Sequence, residues 1–433
     1  MNLERMIKSN IQKHFHNYFS SFLQRFCMLI SQLFLIPAFI FNLGIEQYGE
    51  WLILTTIPNY LLLSDLGLTL TVTNEICRLI NLKEFSSQEK LFKATLSFLS
   101  VIVVFLIFIF LILSNIIDFK TLLNLLFFSN KDVLLILGAF MINIFSYLIF
   151  LVTIGYFKSL NLFHKHEYFL ALTLFLDFIA TLIILNFKIA LYFIPITMST
   201  IRLVMIFIVN KELKKFKFYK FGFSLDWSKA IKLLPVSLKL SFFQLGTAFF
   251  IQGSTFLVGM VLGSSMVVIF NTIRTLVNSL RSFINILYIP TMQEFTVLLT
   301  KNLKEKAFVK LKKLLALIFL VSLISCFGIY FFRDFIFELW FKNSFLYDVN
   351  FLILMLCSII VYNIWNAASM LPLSINRMDK LAYYPILSIL VLVVQYFILP
   401  ITGLTGLAVS FIFIDLIMLI IVLKLNYSIL NKN

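Results

Sequence analysis

The chain has 433 residues, of which 61% are hydrophobic and only 13% charged, against roughly 25% charged residues in soluble domains. A mean hydropathy of +1.00 excludes a soluble globular protein. The formal charge of +16 sits in short segments between apolar runs, which argues for an excess of cations in cytoplasmic loops and against a nucleic-acid surface.

The first eighteen residues carry Arg5, Lys8 and Lys13 but no short apolar core followed by a small-residue cleavage site, so a cleaved signal peptide is not expected. Ile7, Ile11 and Phe15 recur every four residues with the basic groups elsewhere, which predicts an amphipathic helix in the membrane interface. Beyond it, apolar stretches of about 20 residues recur to the end of the chain, each able to cross roughly 30 Å of hydrocarbon. The expected spans are 19–43, 49–72, 95–114, 133–156, 167–186, 189–210, 234–258, 264–296, 311–332, 349–373, 381–400 and 403–424. The eighth exceeds one crossing and is expected to tilt or protrude.

Alternate loops differ sharply in charge. One side receives the basic N-terminus and the cations of segments 78–93, 158–165, 211–232, 301–313, 377–380 and 424–432. The other receives Lys120, Lys131, Lys188, Arg333 and Lys342. The positive-inside rule therefore puts both termini in the cytoplasm. The longest basic segment, "KELKKFKFYKFGFSLDWSKAIK" at 211–232, falls near mid-chain and reads as a linker between an N-terminal half, 1–210, and a C-terminal half, 233–433. Its phenylalanines and Trp227 among lysines are expected to lie on anionic lipid.

The halves echo one another. Arg25 lies about six residues into the first span and Lys239 about six into the seventh, and a Leu-Gly pair recurs at Leu43, Gly44 and Leu262, Gly263. Two halves of about six helices in like orientation imply a parallel repeat, the architecture of alternating-access transporters. The expected fold is an all-α integral membrane protein, with about twelve transmembrane helices in two six-helix halves around a central cavity.

Ionisable residues inside the spans need partners, because a cation at a helix centre costs roughly 2.5–3.5 kcal/mol on insertion scales. Arg25 and Lys239 are close enough to the cytoplasmic end to snorkel. Arg274 is near mid-depth, and Arg281 follows two helical turns later on the same face, with Asn278 between them and Asn271 and Asn285 extending the stripe. Such a stripe faces water, protein or a polar ligand. Of the acids, Asp65 closes the second span, Asp177 lies in the fifth and Asp415 in the twelfth. Asp415 and Arg202 occupy similar depths in the last helix of each half and are expected to form a structural pair across the halves, with a role in ion coupling as the alternative; Asp177 could carry a proton or bond a neighbouring helix. Gly246, Gly253, Gly259 and Gly263 in or beside the seventh span, with Pro58 in the second, could bend these helices or let them pack closely.

Signals of enzymatic chemistry are poor. "HKHE" at 164–167 places His164 and His166 on different helix faces and reads as a solvated loop, not a metal site. The four cysteines, Cys27, Cys77, Cys326 and Cys357, are scattered without a CxxC and read as packing residues. No Walker loop or GxSxG occurs, and all loops are too short to house a catalytic domain. The expectation is a transporter without metal or cofactor.

The segment "FNLGIEQYGEWLILTTIPNYLLLSDLGLTLTVTNEICR", 41–78, resembles the signature of bacterial polysaccharide-unit flippases of the multidrug/oligosaccharidyl-lipid/polysaccharide exporter superfamily, through Gly44, Tyr48, Gly49, Asp65, Leu66 and Gly67. The likeness extends over nearly the whole chain, although the arginine that usually follows the Asp-Leu-Gly closely is delayed here to Arg78. It implies transfer of an undecaprenyl-diphosphate-linked oligosaccharide to the outer leaflet of the bacterial inner membrane by alternating access, for O-antigen, capsule or a related glycan. The implied partners are that lipid-linked glycan, the bilayer, and a glycan polymerase with its chain-length machinery. A cationic cavity of Arg25, Lys239, Arg274 and Arg281, with Asn278, would suit a diphosphate and sugar hydroxyls. The alternatives are a cation-coupled multidrug exporter of the same superfamily, in which acids deep in the first half would dominate, and a membrane glycan polymerase, which would carry a substantial outer loop.

Overall fold

The computed structural model describes residues 2–65, 67–288, 291–341, 347–375 and 383–431; within these, the side chains of 2–15, 18, 63–64, 239–241, 243–245, 293, 341 and 431 lie outside the described residues. Leu66 of the motif, and the expected loop cations Lys342, Arg377, Lys380 and Lys432, also lie outside, as do the side chains that would make the N-terminal helix amphipathic.

The described residues form helices joined by turns and short irregular segments, without a strand. Helix α1 is Asn2–Leu61, followed by one 3-10 turn at Leu62–Asp65; α2 is Leu68–Asn81, α3 Phe85–Ile116, α4 Phe119–Leu122, α5 Asn130–Ser159, α6 Phe163–Asn186 and α7 Phe193–Leu213. After the short α8, Ser228–Ile231, come α9 Leu234–Leu262, α10 Ser264–Tyr288, α11 Thr291–Thr300, α12 Lys304–Phe331, α13 Arg333–Phe341, α14 Val349–Leu373 and α15 Tyr383–Asn431.

Among the described residues, eight helices are long and apolar enough to cross a membrane. Two of them, Phe19–Leu61 and Tyr383–Leu430, have 43 and 48 residues, about twice what a bilayer requires. Each is interrupted by a glycine with non-helical torsions, Gly44 (φ 78°, ψ 168°) and Gly403 (φ 60°, ψ −151°). An L side chain is disfavoured at positive φ, so glycine lets one helix end and the next begin without a loop. These are the junctions of the expected span pairs 19–43 with 49–72 and 381–400 with 403–424. Gly263, between α9 and α10, also has positive φ (88°).

One span departs from expectation. The second does not run unbroken over 49–72: α1 stops at Leu61, three residues past Pro58, and α2 starts after Gly67, which is left-handed (φ 71°). Helices α10 and α11 cover the described residues of the expected 264–296 span, and residues 289–290 lie outside the described residues.

The chain divides into two compact units, Met1–Ser241 and Phe242–Asn433, with the division inside α9. In the first, α5 is central and packs against α2, α3 and α7, while α1 packs along α6. Leu68, Val72, Leu96, Phe150, Phe157 and Val209 anchor its core. In the second, α14 is central and packs against α10, α12 and α15; its core includes Ile284, Tyr288, Phe295, Leu311, Ile318 and Leu371. A Cβ built on Gly246 of α9 would lie 2.5 Å from the Pro385 Cα, so this glycine serves close packing against α15.

The basic linker is folded onto the first unit. Gln88 Nε2 donates to the Phe218 carbonyl at 2.7 Å while its Oε1 accepts from the buried Tyr156 hydroxyl at 2.6 Å. The Ser224 amide donates to Ser97 Oγ at 2.7 Å. Phe216, Phe218 and Phe221 join the core, whereas Phe223 and Leu225 are exposed. The expected lipid-facing aromatic segment is thus partly consumed in docking to its own half, because three of its rings find an apolar core nearer than a bilayer.

Candidate functional site

Helix α10 carries the polar stripe, and its two arginines are held by neighbours in the second unit. Arg274 Nη1 donates to Thr255 Oγ1 at 2.8 Å and to the Ile251 carbonyl at 3.2 Å, both on α9; its Nη2 donates to Asn271 Oδ1 at 2.5 Å. The guanidinium also lies 4.8 Å from the Phe270 ring centroid. Arg281 stacks on Tyr362 of α14, 3.6 Å from the ring centroid, and Nη2 donates to the tyrosine hydroxyl. Asn366 Nδ2 donates to the same hydroxyl at 2.5 Å. At the end of the stripe, Asn285 Oδ1 accepts from Tyr288.

Asp415 joins this group. Its carboxylate accepts from Trp365 Nε1 at 2.9 Å and Ser358 Oγ at 3.1 Å, and the residue is only 3% exposed. Arg274, Asn278, Arg281, Tyr362, Tyr384 and Asp415 line one cavity of about 50 Å³ within the second unit. Asp415 thus lines the same cavity as the two arginines, so two guanidinium groups with neutral hydrogen-bond acceptors share it with one carboxylate. A carboxylate this buried needs donors, and Trp365 and Ser358 supply them.

Arg202 and Asp415, expected as a pair across the halves, each have a hydrogen-bond partner within their own half. Arg202 Nη2 donates to Asp177 Oδ2 at 2.9 Å between the adjacent helices α7 and α6, with both residues 7% exposed. The Tyr147 ring centroid is 5.1 Å from this guanidinium. Asp177 Oδ1 and the Arg202 Nε and Nη1 atoms are buried without a protein partner.

Asp65 Oδ1 accepts from the Thr69 amide at 3.1 Å and its hydroxyl at 2.6 Å. It caps the start of α2, satisfying an amide that has no partner inside its helix. Arg25 is half-buried on α1 of the first unit. Lys239 is on α9, and its side chain lies outside the described residues. Glu167, with its neighbour His166, is buried near the start of α6 rather than solvated; His166 Nδ1 is 3.0 Å and Lys158 Nζ 3.7 Å from Glu167 Oε1. Among the described residues, no group of His, Cys, Asp or Glu is arranged to hold a metal.

One residue escaped sequence reasoning. Glu50, beside Gly49 of the motif, is 1% exposed, and its carboxylate accepts from the successive backbone amides of Leu126, Phe127 and Phe128. An acid immediately ahead of the apolar run 51–54 was the available signal, but its partners are more than seventy residues away.

No protein-family model matches the sequence, and no curated protein does. Three solved structures share the fold over nearly the whole chain. A multidrug resistance MATE-family transporter of the MOP superfamily in an inward-facing conformation aligns at TM-score 0.76 and 14% identity, over 95% of this chain and 98% of the other. The lipid II flippase MurJ, inward closed, aligns at 0.70 and 14%, over 96% and 87%. A MOP-superfamily transporter from Pyrococcus furiosus, described by a reversed polarity of its binding pocket, aligns at 0.63 and 14%, over 96% of each chain. The chain is a multi-pass helical membrane protein with the fold of MOP-superfamily transporters.

Proposed function

We propose that the chain is a flippase that carries an undecaprenyl-diphosphate-linked oligosaccharide from the cytoplasmic to the outer leaflet of a bacterial inner membrane by alternating access, with both termini cytoplasmic. The observation that carries this reading is the pair Arg274 and Arg281, two turns apart on one face of α10 and lining one cavity with Asn278. Two guanidinium groups suit a diphosphate, and amides suit sugar hydroxyls. Their cost in hydrocarbon, roughly 2.5–3.5 kcal/mol each, is offset when water or an anionic headgroup hydrates or pairs them. Arg25 and Lys239 are proposed to serve the same headgroup. The likeness to MurJ, whose name specifies a lipid-linked substrate, supports the reading, as does the 41–78 motif.

The test is replacement of Arg274 or Arg281 by Ala in the native host. Surface glycan should fall to near background while the protein remains in the membrane. Unchanged glycan in both variants would remove the proposal; glycan intact in a deletion strain that instead loses drug resistance would establish the exporter.

A further inference from the structure

The first unit holds a second cavity, of about 300 Å³, that the arginine site does not use. Its walls come from three turns at the end of the unit away from the basic linker: the Gly44 junction, the segment leading into α5, and the turn between α6 and α7. Asn42, Gln47, Asp132, Lys188 and Tyr192 line it together with Phe127.

These turns are braced before any ligand arrives. Glu50 holds three consecutive amides at 126–128, the stretch that supplies Phe127. Ser129 and Asp132 form a reciprocal capping box: Asp132 Oδ2 accepts from the Ser129 amide at 3.3 Å, and Ser129 Oγ accepts from the Asp132 amide at 3.2 Å. Lys188 occupies a left-handed turn (φ 52°) closed by its amide bonding to the Leu185 carbonyl at 3.1 Å. A buried carboxylate spent on backbone amides is an expensive way to secure an ordinary loop, and pre-organised walls reduce the ordering cost of binding.

The lining identifies the ligand class. Two carboxamides, a carboxylate, an ammonium and a phenol offer both donors and acceptors. Asp132 and Lys188 balance in formal charge, so the site does not select a strong anion, and the polar groups alternate with Leu43, Ile136, Leu185 and Leu191, a mixed lining that matches the hydroxyls and apolar C–H faces of a sugar ring. Phe127 and Tyr192 add aromatic surface, which covers the C–H face of a sugar ring. The volume is at the lower end of ligand pockets, roughly 300–1,000 Å³, suited to one or two rings. We infer that this cavity is a saccharide-binding subsite for the glycan of the cargo, on the face where the glycan is released. The inference rests on the flippase reading above.

The experiment uses the full-length protein in nanodiscs with N,N′-diacetylchitobiose and maltose as probes, read by saturation-transfer NMR, with inorganic diphosphate added as an ionic competitor that should not reduce the sugar signal. The expected result is transfer to at least one sugar, weakened roughly five-fold by Gln47→Ala through loss of its hydrogen bonds. Ala190→Trp, at an exposed lining position, should abolish transfer by filling the cavity, and Leu225→Ala, at an exposed linker position outside both cavities, should leave it unchanged. No transfer to either sugar, or transfer that survives Ala190→Trp, overturns the subsite. Surface glycan that persists in Arg274→Ala and Arg281→Ala cells removes the flippase reading without touching the NMR result, so the two failures are distinguishable.

Discussion

The guanidinium of Arg281 lies flat over Tyr362, 3.6 Å from the ring centroid, and donates to that residue's hydroxyl, which Asn366 also holds. A side chain with several rotatable bonds is thereby kept at one place on the cavity wall without a carboxylate to neutralise it directly. Lysine would keep the charge but not the planar stacking.

This relationship predicts a graded series at Tyr362. Tyr362→Phe retains the ring and loses the hydroxyl; Tyr362→Leu loses both, forfeiting about 0.5–2 kcal/mol of cation–π attraction. Export of surface glycan should fall modestly in the first and more in the second. Equal export from the two would show that the ring does not position Arg281.

Breaking the Asp177–Arg202 pair should be far more damaging than removing it. Arg202→Met leaves a buried carboxylate uncompensated, at a cost of about 3–5 kcal/mol, so the melting temperature of the purified protein should drop sharply. The double variant Asp177→Leu with Arg202→Met should recover much of the loss. Single variants that melt with the parent would show the pair to be hydrated and energetically idle.

Glu50→Gln should loosen the segment that ends at Ser129. One carboxamide oxygen cannot replace a carboxylate serving three amides, and hydrogen bonds to charged groups contribute about 1.5–3 kcal/mol. Limited proteolysis between residues 117 and 129 should accelerate, with little change elsewhere. A cleavage pattern identical to that of the parent would refute the clamp.

Gly246→Ala places a methyl group 2.5 Å from the Pro385 Cα. Because backbone cannot rotate away, overpacking of about 1–3 kcal/mol is expected, seen as reduced abundance of folded protein in the membrane. Normal abundance and thermal stability would mean that α9 and α15 separate readily.

Asp65→Ala should cost about 0.5–2 kcal/mol through loss of the cap on α2, whereas Asp65→Asn should cost less because its carbonyl still accepts from Thr69. Amide exchange at the start of α2 reports the difference; equal protection in Ala and Asn variants would assign Asp65 another role.

Much of this architecture was determined by the sequence alone, because hydrocarbon thickness converts apolar length into crossings and the glycines at 44, 263 and 403 mark where a helix can end without a loop. The spacing of Arg274, Asn278 and Arg281 likewise placed them on one face through helical periodicity. What only the tertiary structure decided were the long-range partners. Arg202 takes Asp177 because α6 and α7 are neighbours, Asp415 takes Trp365 and Ser358 because α15 packs on α14, and Glu50 reaches amides 76 to 78 residues along the chain. Periodicity specifies the face of a helix that a charge occupies; which neighbour meets that face depends on how the helices pack.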